Sequence, residues 1–449
     1  MLILEDLMSI QLSDHFTYKK LMRFTLPSII MMIFTSVYGV VDGFFVSNFV
    51  GKTPFAAVNF IMPFIMILGA FGFMFGTGGN AIVSLNMGMG DMKKANRIFS
   101  MLTYISAGVG VIIAVLGIIF IRPIAAALGA EGEMLDGCVT YGRILLAALP
   151  VYMLQLEFQS FFVTAEKPQL GLVSTLAAGI TNIVLDALFI ALFKWELVGA
   201  AAATALSQLV GGVFPIIYFS RKNSSLLRLT KFTFDGKSLL KTCTNGSSEL
   251  LSNISMSLVG MLYNVQLMKY AGEDGVAAYG VLMYITLIFL GAFIGYSIGT
   301  APVIGYHFGA RNHIELKSIL KKSMVIIGAF SVSMLVLGEV LARPLSLIFV
   351  GYDKGLLELT ERGFIIYSFS FLFAGIAIFG SGFFTALNNG LVSAMISFLR
   401  TLVFQIAAVM LLPLIWEIDG IWISLVVAEL MAAVTTVVFL IAMRKRYHY

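Results

Sequence analysis

Asp42 stands four residues after Tyr38, and Asp186 stands four residues after Asn182, each pair inside a long apolar stretch. Residues four apart share one face of a helix, so each pair sets a carboxylate beside a phenol or an amide. Burying a bare carboxylate in hydrocarbon is expensive, and a bound cation offsets that cost. Such a group is therefore suited to reversible binding of a proton or a sodium ion. The structural alternative is that each aspartate caps or cross-links helices near an interface. Asp42 lies only a few residues from the loop at Gly51, which keeps that alternative open there. Asp186 lies deep in NIVLDALFIALF, which favours the functional reading.

Other charges inside apolar stretches are less informative. Glu339 and Arg343 are four apart and are expected to pair with each other. Glu249 opens an apolar run and could be interfacial, whereas Glu157, Glu429 and Arg400 lie deeper, with substrate binding, ion coupling or simple structural pairing all open to them. Pro27 lacks a backbone N–H and is expected to kink the first helix, unless it only marks that helix's start. The 24 Met and 38 Phe residues are mostly core and lipid-facing surface. Any of them lining a cleft would give an adaptable wall for aromatic ligands.

The elements that position these residues follow from composition. Hydrophobic residues make up 59% of the 449-residue chain, charged residues only 12%, and mean hydropathy is +0.95. Soluble domains carry about 25% charged residues, so this composition points to a polytopic α-helical membrane protein. Twelve spans are expected, near 24–46, 54–85, 98–121, 138–163, 169–193, 198–219, 246–270, 276–306, 322–348, 361–386, 391–415 and 420–443. The first 23 residues carry Glu5, Asp6, Asp14, Lys19, Lys20 and Arg23 without an apolar core, so no cleaved signal peptide is expected. Cys138 and Cys243 are too isolated for a disulfide or a metal site. No Walker motif, nucleophile elbow or zinc signature occurs, which argues against an ATP-driven pump or a membrane hydrolase.

Loop charges set the orientation. Lys19, Lys20, Arg23, Lys93, Lys94, Arg97, the basic linker 220–245, Arg311, Lys317, Lys321, Lys322, Arg444, Lys445 and Arg446 fall on one side. The opposite loops carry Glu131, Glu133, Asp136, Glu273, Asp274, Asp353, Glu358, Glu417 and Asp419. Excess Lys and Arg marks the cytoplasmic side, which places both termini in the cytoplasm. The net charge of +5 is thereby explained by membrane orientation, and no nucleic-acid partner is expected.

A register shift of 221 residues, without a gap, carries Gly51 to Gly272, Gly78 to Gly299 and Gly88 to Gly309. It also carries Arg122-Pro123 to Arg343-Pro344, Gly142 to Gly363 and Thr164-Ala165 to Thr385-Ala386. Six helices per repeat is an even number, so both repeats enter the membrane from one side. The expected architecture is all-α, with two six-helix lobes, residues 1–225 and 226–449, related by a pseudo-twofold axis along the membrane normal. The same shift carries Asp42 to Tyr263, Asn182 to Val403, Asp186 to Ala407 and Thr204 to Leu425, so the acidic cluster is not duplicated.

With these features the chain resembles the multidrug and toxic compound extrusion family, closest to its DinF-like and MepA-like bacterial branch. The resemblance runs through the first helix, LPSIIMMIFTSVYGVVDGFFV, and the segment GNAIVSLNMGMGDMKKA after the second. It implies a cation site in the amino-terminal lobe, with Asp42, Asn182, Asp186 and Thr204 at the matching positions. It also implies that Pro27 and Tyr38 belong to the bending and hydrogen-bond network of the first helix. NorM-like members carry coupling acids in the other lobe, and Glu249 lies near such a position. The implied function is a secondary antiporter of the bacterial cell membrane, exchanging cationic amphipathic or aromatic small molecules for H+ or Na+. It would act as a monomer in lipid, with no cofactor and no metal beyond a sodium ion. The alternatives are a flippase for a lipid-linked precursor and a non-transporting sensor or scaffold.

Overall fold

The computed structural model describes residues 10–449, except the side chains of Phe44, Ser47, Asn48 and Lys52; Glu5 and Asp6 lie outside the described residues. The first six long helices are α1 (Tyr18–Phe49), α2 (Lys52–Gly88), α3 (Met92–Ala127), α4 (Gly132–Thr164), α5 (Pro168–Asp186) and α6 (Glu196–Ser220). A π-helical turn, Ala187–Leu192, prolongs α5. Next comes a 74-residue helical run, Gly236–Gly309. At 1.5 Å per residue it would extend roughly 110 Å, far more than a bilayer is thick. It breaks at Gly272, where φ is 62° and ψ is −150°, into α7 before the break and α8 after it. Then follow α9 (His313–Val350) and α10, whose halves Lys354–Ser368 and Phe371–Ala386 bend by 51°. In α11 a π turn, Leu399–Val403, joins Gly390–Phe398 to Phe404–Leu411. In α12 (Pro413–Tyr447) the backbone leaves helical geometry at Trp416 and Glu417.

These are the twelve spans read from hydropathy, with two differences. The helix α10 is broken between Ser368 and Phe371 rather than straight. The helix α7 starts at Gly236 rather than near 246, because Asp235 caps it, accepting from the N–H groups of Lys237 (3.1 Å) and Ser238 (3.2 Å). The Ser238 hydroxyl also donates to Asp235 at 2.7 Å, and these bonds hold its carboxyl below the usual range.

The duplicated glycines occupy equivalent places. Gly51 and Gly272 both take positive φ, 111° and 62°, at the joints after α1 and α7. Gly78 packs on the α7 backbone at Thr242 and Gly246, and its counterpart Gly299 packs on Thr25 of α1. Gly88 meets Tyr306 while Gly309 meets Leu85, and 306 and 85 are themselves related by the repeat. Likewise Gly142 faces Ile61 and Gly363 faces Leu282. Reciprocal contacts of this kind are what a pseudo-twofold axis between two six-helix lobes produces.

The lobes meet near the face that carries the basic loops. There Gly291, Gly295 and Gly299 of α8 lie against α1 between Thr25 and Ile33, and at Gly295 and Gly299 the approach is close enough to exclude a side chain. One apolar core runs through both lobes at this end. Toward the acidic face the carboxyl-terminal lobe keeps a separate core around Tyr263, Leu282, Phe364 and Trp422. The lobes thus share one core at the basic face, and toward the acidic face they keep separate cores, with Ser36 Oγ of α1 still donating to the Leu287 carbonyl of α8 at 3.1 Å.

A short segment ahead of α1 crosses the seal. Leu12 and Phe16 are fully buried, and the Leu12 N–H donates to Glu166, between α4 and α5, at 2.6 Å. In the other lobe Glu315 accepts from the Phe16 N–H at 2.9 Å and lies 2.6 Å from His15 Nδ1. The Lys322 ammonium donates to the Phe16 carbonyl.

Candidate functional site

The helix α1 is capped by Thr17, which accepts from the Lys20 N–H at 3.2 Å, and it continues through Pro27 without a break. It packs on α5 at Gly179, where a Cβ would fall 3.0 Å from Cζ of Phe34, nearer still to its Cε1, and 3.1 Å from Cδ1 of Tyr38. The absence of a side chain at Gly179 lets α1 approach closely. One turn further along each helix, Asp42 is brought to Asn182 and Asp186, and its carboxylate lies against both and against Thr204 of α6. Asn182 Nδ2 reaches Thr204 Oγ1 at 3.5 Å, and Thr204 is back-bonded to the Ala200 carbonyl at 3.1 Å.

Asp186 is 0% exposed and Asn182 1% exposed. Oδ1 of Asp42, both carboxylate oxygens of Asp186 and Oδ1 of Asn182 have no hydrogen-bond partner among the described residues. Four acceptor oxygens without donors, buried together, form a strongly electronegative spot. Two adjacent carboxylates repel, and a single cation between them relieves that repulsion. An all-oxygen set suits a hard cation or a proton, not a soft transition metal. Among the described residues no three His, Cys, Asp or Glu side chains form a metal-holding group. The π turn begins directly after Asp186, and such turns recur where helices are locally adapted to a function.

Two residues join the cluster that sequence spacing did not reveal. Tyr141 of α4, fully buried, faces Asp42, Asp186 and Thr204. Tyr284 of α8 reaches across from the other lobe, its hydroxyl 3.9 Å from where a Cβ on Gly43 would lie. A phenol in an apolar stretch was the only signal available for either, and sixteen tyrosines share the chain.

The second lobe is built differently. Tyr263, the counterpart of Asp42, shares a 2.7 Å hydrogen bond with Ser424 and stacks on Tyr279 at 5.1 Å. Nearby, Arg400 in the π turn of α11 donates from Nε to both carboxylate oxygens of Glu429, at 3.0 and 2.8 Å. Glu249 of α7 also feels the Arg400 charge, but the direct contact is between Arg400 and Glu429. Glu157 does not join them or the Asp42 cluster: it points toward α3, 3.5 Å from Thr103 Oγ1. The expected pair of Glu339 with Arg343 does not form. Both find partners on α10, which packs alongside: Ser368 for Glu339 at 2.6 Å, and Glu361 for Arg343 at 3.6 Å. Cys138 and Cys243 are both free thiols.

The MatE family model matches the chain twice, over residues 27–188 and again over 250–411, one match in each repeat. The chain belongs to the MatE family. It is similar to the multidrug export protein MepA of Staphylococcus haemolyticus, 28% identical over 96% of this chain and 94% of that one. It is 26% identical to MepA of Staphylococcus aureus over the same shares. Among solved structures, a multidrug resistance MATE transporter of the MOP superfamily in its outward-facing conformation superposes with a TM-score of 0.91. That chain is 22% identical, with 97% of each covered. As a MatE protein the chain is a multi-pass membrane transporter, and not an enzyme.

Proposed function

We propose that this MatE protein is a cation-coupled antiporter of the bacterial cell membrane that exports cationic, amphipathic, often aromatic small molecules. The observation that carries this reading is the meeting of Asp42 and Asp186, from helices far apart in sequence, with four unpartnered oxygens around them. The multidrug export role of the MepA relatives supports the substrate class. With the basic face in the cytoplasm, the end where the lobes share a core is inward and the end with separate cores faces outward, so both termini are cytoplasmic.

The coupling follows from the double role of α1. Its outer half carries Tyr38 and Asp42 to the ion site, while its inner half, from Thr25 to Ile33, forms the seal against α8. A proton or sodium ion bound between Asp42 and Asp186, with Asn182, Thr204 and Tyr38 completing the shell, draws α1 toward α5 and α6. Pro27, buried in the inner half and unable to donate a backbone hydrogen bond, is where α1 yields most easily. A movement there alters the Thr25–Gly299 and Ile29–Gly295 contacts that hold the lobes together. Ion occupancy and lobe closure are thus two consequences of one helix position. Arg400 and Glu429 pair in the second lobe, with Glu249 within range of the Arg400 charge, and form a separate charged anchor. The two lobes, residues 1–225 and 226–449, rock against each other as α1 shifts, and the protein works as a monomer in lipid.

The test is ethidium uptake into inverted vesicles, or its transport in proteoliposomes, under an imposed ion gradient. Asp42→Asn and Asp186→Asn, expressed at the normal level, should abolish gradient-driven extrusion. Wild-type rates in either variant would overturn the assignment. Running the same assay under a sodium gradient and then a pH gradient identifies the coupling ion.

A further inference from the structure

A second line of buried polar groups runs from the Asp42–Asp186 cluster toward the basic face, inside the amino-terminal lobe and away from the interface between lobes. On α5, Thr175 and Ser174 lie two turns below Asn182, and they are 3% and 6% exposed. On α6, Ser207 and Gln208 follow Thr204 by one turn, and Gly211 follows by two. On α4, Gln155 and Gln159 lie one turn apart. The three helices bring these faces together. A Cβ on Gly211 would fall 2.6 Å from Cδ of Gln155, and Ser174 Oγ donates to the Gly211 carbonyl at 3.4 Å.

Three amide oxygens along this seam, Oε1 of Gln155, Gln159 and Gln208, are buried and have no hydrogen-bond partner among the described residues. Leaving such an acceptor unpaired in a dry interior is costly, and a packing role would be served as well by leucine. Between Gln155 and Gln159 lies a cavity of about 10 Å³, lined also by Ser174, Thr175 and Gly211. That volume is roughly what one water molecule requires, and the cavity has the polar walls that a water needs. Beyond it the seam ends on rings: Phe158 and Phe162 line the cavity and pack on Phe219 at 5.6 and 5.2 Å.

We propose that this seam is the inward release route of the coupling cation, separate from the cleft that carries the drug. The ion, sodium or a proton passed along waters, leaves the aspartates past Thr204 and Gln208. It then crosses the cavity between Gln155 and Gln159 and reaches the cytoplasm when the Phe158–Phe162–Phe219 plug loosens. In the outward-open form the plug is shut, so an ion entering from outside is held and not leaked. A route distinct from the drug path lets ion and drug move in opposite directions without sharing a space. The inference rests on the Asp42–Asp186 ion site proposed above.

The test separates binding from release. In detergent, stabilisation of the protein by Na+ and by acid reports cation binding; in proteoliposomes, the maximal rate of gradient-driven ethidium transport reports turnover. The variants are Gln155→Leu, Gln159→Leu and the two combined. They should keep the cation affinity of the parent chain while the maximal rate falls at least tenfold in the combined variant. Wild-type turnover in the combined variant would overturn the route. A matched loss of affinity would also overturn it, because it would place the glutamines at the ion site. If Asp42→Asn and Asp186→Asn retain cation binding, it is the ion site that fails instead. As a check independent of those variants, Gln159→Cys in a chain with Cys138→Ser and Cys243→Ser should react with a small cationic thiosulfonate during turnover and not in its absence. Equal labelling in both conditions would refute a gated passage.

Discussion

Replacing Gly309 by alanine should hold the two lobes apart at the basic face. A Cβ there would lie 2.9 Å from the carbonyl carbon of Leu85 and 3.1 Å from its Cα, with the carbonyl oxygen nearer still. Carbon atoms rest about 3.5–4.0 Å apart, so α2 and α8 must separate by roughly 0.5–1 Å. The obstacle is backbone, which cannot swing aside as a side chain would. Overpacking of this kind costs about 1–3 kcal/mol, and the cost falls only on the state in which the lobes touch. Alanine also favours the helix by up to about 1 kcal/mol, but α8 is helical whether the lobes meet or part, so that gain does not bias the equilibrium. The sealed state should therefore lose about 5- to 150-fold in population relative to the inward-open state. Gly88→Ala, at the symmetry-related contact with Tyr306, should act in the same direction. Gly328→Ala, with no atom within 4 Å, is the control. Spin labels on the exposed positions 94 and 317, in a chain without Cys138 and Cys243, report the separation by pulsed dipolar spectroscopy. An unchanged distance distribution in Gly309→Ala would show that this contact does not set the seal.

Three further outcomes are expected. Arg400→Met should destabilise the protein by about 3–5 kcal/mol, since it leaves Glu429, 3% exposed, as an uncompensated buried charge; Arg400→Met combined with Glu429→Met should recover most of that loss, as read by thermal unfolding in detergent. Burial pushes the Glu166 carboxyl above its usual range, outweighing the opposing Leu12 N–H bond. It binds its proton more tightly when the leading segment is docked, so docking should be firm in acid and loosen as pH rises through the raised value. Limited proteolysis of residues 10–17 against pH measures this; Glu166→Gln should make the profile flat, and loosening on acidification would contradict it. Asp235→Ala should cost about 1 kcal/mol by removing the α7 cap. Because the Asp235 carboxyl is held below its usual range, the cap's contribution should persist at neutral pH and fade only as pH falls through the depressed value.

Much of the fold was legible in the chain because lipid makes hydropathy decisive: every span must satisfy its own backbone, so a long apolar run is a helix. The breaks within and between spans were less legible. Gly272 could be read as a joint, since its partner Gly51 ends α1, but the bend of α10 between Ser368 and Phe371 has no proline or glycine to announce it. Ion pairs were read least well, because spacing along one helix cannot weigh a partner on the next. Arg343 took Glu361, and Glu339 took Ser368, once α10 lay beside α9.

By itself the sequence determined the twelve spans, the repeat, and the concentration of acid in one copy of it, since composition and periodicity are local properties. Only the tertiary structure decided that Asp42 and Asp186, 144 positions apart in the chain, share one site with Tyr141. It alone paired Arg400 with Glu429 while leaving Glu157 apart, and it alone set where the lobes share a core. Those outcomes depend on how closely helix backbones approach. The approach is fixed at Gly179, Gly211, Gly299 and Gly309 by a side chain that is not there, and its consequence appears only when the facing helix arrives.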